Sequence, residues 1–338
     1  MKSTATFVVV LCFLGCVMAL GQEARGGGGG QAPPPPPKET VAPNIPGVVA
    51  GGTKVQVIKI APTGNTEGPV GMPDGSLLFS ELAANKVWKV DKDDKVTVLV
   101  ENTSGALGMG FDSKGRLIAT LTAPPGQTKI GVVYPKGQEA ILADNVNGEP
   151  LGRPNDLVVS SKGGVYFTDP GPSEAQIKGG YHKTEPAVFY IPPGGKAMKV
   201  ADVVGRPNGI QLSPDEKILY VNNSFGKYLL TFDIQPDGTV KNRRDFGMYE
   251  LTKPPGPTDS VSDGLASDNA GRLYVANQSV PGIQVFDTKG QSLGTIPLGR
   301  DPQNMAFAGP GKKTLYATGG GYAFKIQMLT EGPKKRAK

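Results

Sequence analysis

Thiol and imidazole groups are nearly absent from this 338-residue chain, which holds two cysteines and one histidine. Both cysteines, Cys12 and Cys16, lie in the first apolar stretch. The rest of the chain can therefore build neither a disulfide framework nor a thiolate metal site. His182, the lone histidine, leaves zinc chemistry of the nitrogen-and-sulfur kind without ligands. Aromatic residues make up only 7% of the chain, and no lysine or arginine cluster is interleaved with them. That excludes a nucleic-acid platform despite the formal charge of +6. Helical periodicity is almost missing, and the apolar run from Phe7 to Leu14 is too short to span a bilayer.

Glycine (48) and proline (31) are in excess, and part of that excess sits in "RGGGGGQAPPPPPKET", Arg25 to Thr40. A glycine run leading into polyproline has almost nothing to bury, so residues 22–50 are read as a disordered tether. Ahead of it, Lys2, the apolar stretch and the small residues of "ALG" (Ala19 to Gly21) make residues 1–21 a signal peptide cut after Gly21. The chain is then expected in the periplasm or outside the cell. The alternative is a lipid anchor on Cys16, although "FLG" before it fits a lipobox poorly. At the other end, residues 331–338, with "KKRAK" (Lys334 to Lys338), are read as a basic disordered tail.

Between these ends one phrase returns six times, a turn of Asp, Gly, Ser and Lys followed by a short β-branched or aromatic strand. The first apolar residues after the turns are Leu77, Leu117, Val165, Leu219, Leu273 and Leu315, recurring at roughly 40 to 54 residues. Short strands separated by Gly/Pro/Asp turns at this period predict an all-β fold, a six-bladed β-propeller over residues 51–330. The lone strand "TKVQVIKIA" (Thr53 to Ala61) is expected to close the ring beside "GYAFKIQM" (Gly321 to Met328) in the last blade.

Ten or eleven residues before those apolar positions stand Glu67, Leu107, Asn155, Asn208, Asp263 and Asn304. Rotation about the propeller axis brings such equivalent positions to one mouth of the channel. Two of the asparagines end identical copies of Gly-Arg-Pro-Asn, beginning at Gly152 and Gly205. Asn or Asp before Gly is a common turn former, which explains any one of these residues but not the shared offset. Two carboxylates with two or three amides form an oxygen-only shell suited to a hard cation, Ca²⁺ ahead of Mg²⁺.

The segments "TEGPVGMPDGSLLFSEL", "GRPNDLVVSSKGGVYFTDPG", "RPNGIQLSPDEKILYVNNS", "SDGLASDNAGRLYVANQSVPGIQVFD" and "NMAFAGPGKKTLYAT" resemble the gluconolactonase / senescence marker protein (regucalcin) family. The resemblance covers the chain from about Ile58 to Gln327. It implies a six-bladed propeller holding a divalent cation, Ca²⁺ or another such as Mg²⁺ or Zn²⁺. The metal ligands it implies are Glu67, Asn155, Asn208 and Asp263, with Asp263 also as catalytic base. The implied activity is hydrolysis of a small-molecule lactone, with no nucleic-acid partner and no membrane span. Two departures bear on substrate: Leu107 replaces an Asn that holds sugar hydroxyls in relatives, and Gly71 replaces a Trp. They leave room for an organophosphate or ester hydrolase, or for a non-catalytic calcium-binding propeller. Tyr181, His182, Asn223 and Asn304 are the candidate substrate contacts.

Overall fold

The computed structural model describes residues 35–61, 64–203, 205–256 and 259–338. Six antiparallel sheets form the blades, the first five with their earliest strand on the inside and the sixth with its earliest strands at the outer edge. The inner strands are Thr66–Gly71, Ala106–Phe111, Leu157–Val159, Pro207–Leu212, Ser262–Ser267 and Asn304–Ala308, one in each of blades 1 to 6. Each touches the inner strand of the next blade, and the sixth touches the first, which closes the ring as a six-bladed propeller.

The recurring turn explains why the strands begin where they do. In blade 2, Asp112 Oδ1 accepts the N–H groups of Lys114 and Arg116, both at 2.9 Å, while Oδ2 receives Arg116 Nε at 2.8 Å. Blade 5 repeats this with Asp268, which binds the N–H groups of Ala270 and Arg272 at 3.0 Å and Arg272 Nε at 2.6 Å. Asp-x-x-Gly-Arg is thus a self-contained turn between the first and second strands of a blade.

Blades hold together face to face. Six apolar cores lie between successive blades, such as Leu157, Phe167 and Ile130 between blades 2 and 3. Phe79, Phe167, Phe286, Phe307 and Phe324 are all fully buried, each contributing roughly 1.5–3 kcal/mol of transfer free energy. Closure works as the sequence predicts: Lys54–Lys59 pairs antiparallel with Tyr322–Gln327, in the register Val57 to Phe324. The edge strand is thereby covered.

Both disordered segments need correction where they are described. Thr40–Val41 forms a fifth strand on blade 6, and Ala42, Ile45, Val48 and Val49 are buried against Ala266, Ile283 and Ile296 of blade 5. The apolar residues in "VAPNIPGVVA" fill the outer seam between two blades, which their Gly/Pro setting concealed. Residues 331–338 do not fray either. Lys312 Nζ holds the Pro333 and Arg336 carbonyls at 2.8 and 2.6 Å. Arg336 donates to Gln211 Oε1, the Ser213 and Leu212 carbonyls and Ser267 Oγ. The segment runs along the face that carries the first-to-second-strand turns and ends inside the channel. Residues 1–21, with Cys12 and Cys16, lie outside the described residues, as does the tether as far as residue 34. Among the described residues no helix is long and apolar enough to cross a membrane.

Candidate metal centre

The six equivalent positions share one register of their blades. Glu67, Leu107, Asn155, Asn208, Asp263 and Asn304 stand at or just before the start of the inner strands, and all are between 1 and 4% exposed. In blades 1, 2, 4 and 5 the pairing register slips just after this position. Such a bulge re-aims a side chain relative to its sheet.

What fixes four of the ring positions is a set of side chains that the sequence reading missed, near the end of the second strands of blades 1 to 4. Ser80 Oγ donates to the Leu107 carbonyl at 2.9 Å, Thr120 Oγ1 to the Asn155 carbonyl at 2.8 Å, and Thr168 Oγ1 to the Asn208 carbonyl at 2.6 Å. Asn222 Nδ2 makes the same bond to the Asp263 carbonyl. Blades 1 to 4 therefore each pin the ring residue of the next. The signal was legible in "LLFSE", "LIATL", "VYFTD" and "LYVNN", where a small polar residue breaks each apolar strand at one register.

The following register position explains the repeated Gly-Arg-Pro-Asn. Asp169 accepts the N–H groups of Gly152 and Arg153 at 2.8 and 2.9 Å, and Asn223 Oδ1 accepts that of Arg206 at 2.9 Å. The glycines permit this approach: a Cβ on Gly152 would stand 1.9 Å from Thr184 Oγ1. One on Gly205, whose φ is +111°, would stand 2.4 Å from Asn223 Oδ1. Proline then holds each arginine in extended backbone, and the asparagine arrives on the ring. Asn223 accordingly serves as the pin of this motif rather than as a substrate contact.

The two ring carboxylates feel each other. Burial, followed by the negative charge of Asp156, pushes Glu67 up to about 7, against the opposing effects of the Gly68 N–H, Lys338 and Asn304. Burial and then the Glu67 charge raise Asp263 well above the carboxylate range, while Arg206 and a hydrogen bond from Asn208 pull the other way. Gln278 Nε2 donates to Asp263 Oδ2 at 2.9 Å. Asp156, one residue past the ring, is another group the sequence reading missed. Its carboxylate accepts the Leu157 N–H at 2.9 Å and the Ile210 N–H at 3.4 Å, and Lys338 Nζ contacts both its oxygens.

Of the other candidates, Asn304 is engaged within this cluster, its Oδ1 on the Met305 N–H at 2.8 Å and its Nδ2 near Asp156 at 3.4 Å. Tyr181 donates to the Thr122 carbonyl at 2.8 Å, and His182 is exposed with Nε2 3.2 Å from the Gly126 carbonyl. Both lie on the loop that leaves the second strand of blade 3, at the mouth side. Two cavities of about 570 Å³, one lined by Phe111, Tyr134 and Arg336 and the other by Tyr166, Tyr190 and Glu216, open on the opposite face. Neither is lined by Glu67 or Asp263.

The ring residues fit a hard divalent cation on one observation above all. Asn208 Oδ1 is buried and accepts no hydrogen bond from the described residues, although a buried amide oxygen normally finds a donor. Glu67, Asp263 and this oxygen, with Asn155 at the equivalent position, supply an all-oxygen donor set. Among the described residues no group of three or more His, Cys, Asp and Glu is placed to hold a metal, so the amides are essential to any such site.

Residues 65–320 match the SMP-30/Gluconolactonase/LRE-like region. A gluconolactonase of Zymomonas mobilis is 29% identical over 292 residues, 79% of either chain. A solved gluconolactonase from Xanthomonas campestris is 27% identical with a TM-score of 0.71, covering 87% of this chain and 99% of that one. The calcium-binding regucalcin of Agrobacterium tumefaciens shares the fold at a TM-score of 0.64 and 17% identity, covering 82% of this chain and 92% of that one.

Proposed function

Because the chain belongs to the SMP-30/Gluconolactonase/LRE-like family, we propose that it is an exported, calcium-dependent lactone hydrolase. The observation that carries this reading is the unsatisfied Asn208 oxygen beside two mutually repelling buried carboxylates, in a chain similar to a gluconolactonase. Glu67, Asn155, Asn208 and Asp263 would hold the cation, in keeping with the calcium-binding neighbour of the same fold.

When bound, a divalent cation supplies Lewis-acid polarisation of a carbonyl and a counter-charge for the negative charge growing on its oxygen. The protein's own groups do the rest. Asp263 accepts a proton from the attacking water, or orients that water, with its carboxylate held by Gln278 and Asn208. The apolar environment that raises Asp263 helps it as a base, whereas positive charge nearby opposes that effect. Glu67, the second carboxylate, balances the charge of the ion. Leu107 offers no hydrogen bond to a sugar hydroxyl, so this sector of the mouth selects by shape.

The test is pH-stat hydrolysis of a panel of aldonolactones before chelation, after it, and after calcium is restored. Turnover should vanish with chelator and return with calcium, and Asp263→Asn should lower kcat at least about a hundredfold. Full activity in that variant would remove Asp263 from the mechanism. A second reading, hydrolysis of organophosphates or other esters by the same site, is favoured by buried, apolar Leu107. Including such esters in the panel separates the two. Export through residues 1–21 is checked by N-terminal sequencing of the mature protein, expected to begin at Gln22.

A further inference from the structure

The two Gly-Arg-Pro-Asn copies bring more than asparagines to the channel mouth. Each also carries an arginine two residues before its ring position, in backbone fixed by proline and pinned through its N–H at 2.9 Å. Arg153 is 4% exposed, yet among the described residues its guanidinium has no hydrogen bond or ion pair. Burial, then the like charge of Arg206, weakens its hold on a proton, while Tyr181, Glu67 and Asp169 act in the opposite sense. Arg206 lies with its guanidinium 5.5 Å from the centre of the Phe225 ring and within electrostatic reach of Asp263.

A desolvated guanidinium without a partner is costly, and two near each other are more so. An anion shared between them relieves both costs, and the planar fork of five donors suits carboxylate or phosphate oxygens.

We propose that Arg153 and Arg206 form an anion-recognition pair that selects lactones bearing a second, ionised group, a carboxylate or a phosphate, in addition to the scissile ester. The substrate class rests on the lactonase reading, but anion binding itself does not. The deciding experiment is therefore calorimetric, on the calcium-loaded protein, with three acids that cannot be hydrolysed. D-gluconate carries one carboxylate, D-glucarate two, and D-gluconate 6-phosphate a carboxylate and a phosphate.

At least one of the doubly anionic acids should bind tenfold or more tighter than gluconate, and the tighter of the two identifies the group recognised. Arg153→Met and Arg206→Met should each erase most of that difference, and Arg153→Lys should keep part of it. In kinetics, the ratio of kcat/KM for D-glucaro-1,4-lactone over D-glucono-1,5-lactone should fall by a similar factor if the carboxylate is preferred. Should Arg153→Met fail to fold, the partly exposed Arg206 still carries the comparison. Equal binding of all three acids by the native protein would overturn the proposal, as would variants that weaken all three equally. Arginine-dependent discrimination without turnover of any lactone would uphold the pair and refute the hydrolase. Turnover without discrimination would do the reverse.

Discussion

Replacing Lys338 by methionine leaves Asp156 buried without its cation. The pair is as enclosed as any in the molecule, both side chains 1% exposed, with Lys338 Nζ 2.5 Å from Oδ2. What remains to Asp156 is the Leu157 N–H at 2.9 Å and two contacts at 3.4 Å, from the Ile210 N–H and Asn304 Nδ2. Removing one partner of a buried pair costs about 3–5 kcal/mol, chiefly through the charge left behind. For a domain of this size that is a fall in Tm of about 5–10 °C. Because Lys338 also moderates Glu67, its loss adds repulsion between Glu67 and Asp156 in the metal-free protein. The assay is urea unfolding without metal, for the native chain, Lys338→Met, and Lys338→Met combined with Asp156→Asn. The amide keeps an acceptor for the Leu157 N–H without the charge, so the double variant should recover at least half of the loss. If Lys338→Met and a chain cut after Pro333 both unfold at the native midpoint, the terminal segment does not occupy the channel in solution.

Other expectations follow from the same contacts. In the metal-free protein, burial and Asp156 raise Glu67 from its ordinary value of 4.5 to about 7, so the folded state holds this proton more tightly than the unfolded one. Stability should thus be gained as pH falls from about 7 towards 4.5 and lost as it rises, and Glu67→Gln should flatten that slope in denaturant titrations at several pH values. Thr168→Val removes the 2.6 Å bond to the Asn208 carbonyl and the acceptor of the Asp156 N–H at 3.1 Å. It should cost about 1–3 kcal/mol in denaturant unfolding and weaken calcium binding measured by calorimetry. Gly205→Ala places a methyl against Asn223 at a φ of +111°. A destabilisation of about 1–3 kcal/mol and a shift in the Asn208 amide resonances would report the displaced motif, and an unchanged midpoint would contradict its tight packing.

The features readable from sequence are those governed by local chemistry or by symmetry. Asp-x-x-Gly-Arg encloses its own hydrogen bonds, so the turns announce themselves, and the propeller's symmetry puts residues at a constant offset, Glu67, Asn155, Asn208 and Asp263 among them, at one register of the inner strands. The family and the propeller followed from these. Asp156 was passed over because it lies one step off that register. Lys338 was read as a solvated tail because its partner is 182 residues away, and charge runs carry no mark of distant carboxylates. Val48 and Val49 were assigned to a tether because glycine and proline around them suggested disorder, whereas burial depends on the seam they meet. Asn223, a candidate substrate contact by sequence, has its Oδ1 on the Arg206 N–H, a bond between residues 17 apart that the local sequence does not mark.

The pins on the ring carbonyls bear on why Leu107 can stand where relatives place a polar residue. Ser80 holds the Leu107 carbonyl as Thr168 holds that of Asn208, so the position is built by backbone and by its neighbour, not by its own side chain. Exchanging a ring side chain therefore leaves the scaffold standing, and the mouth can change its selectivity one sector at a time. The two arginine-bearing sectors differ in this respect. There the pin is Asp169 or Asn223, the glycine fits only because it lacks a Cβ, and the proline removes conformational choice from the arginine. Two of the four motif positions, glycine and proline, hold the backbone, and the arginine and asparagine extend from it two residues apart. Among the described residues the Arg153 guanidinium has no hydrogen bond or ion pair, and a buried cation on so fixed a backbone is more readily understood as recognition of a ligand than as support for the fold.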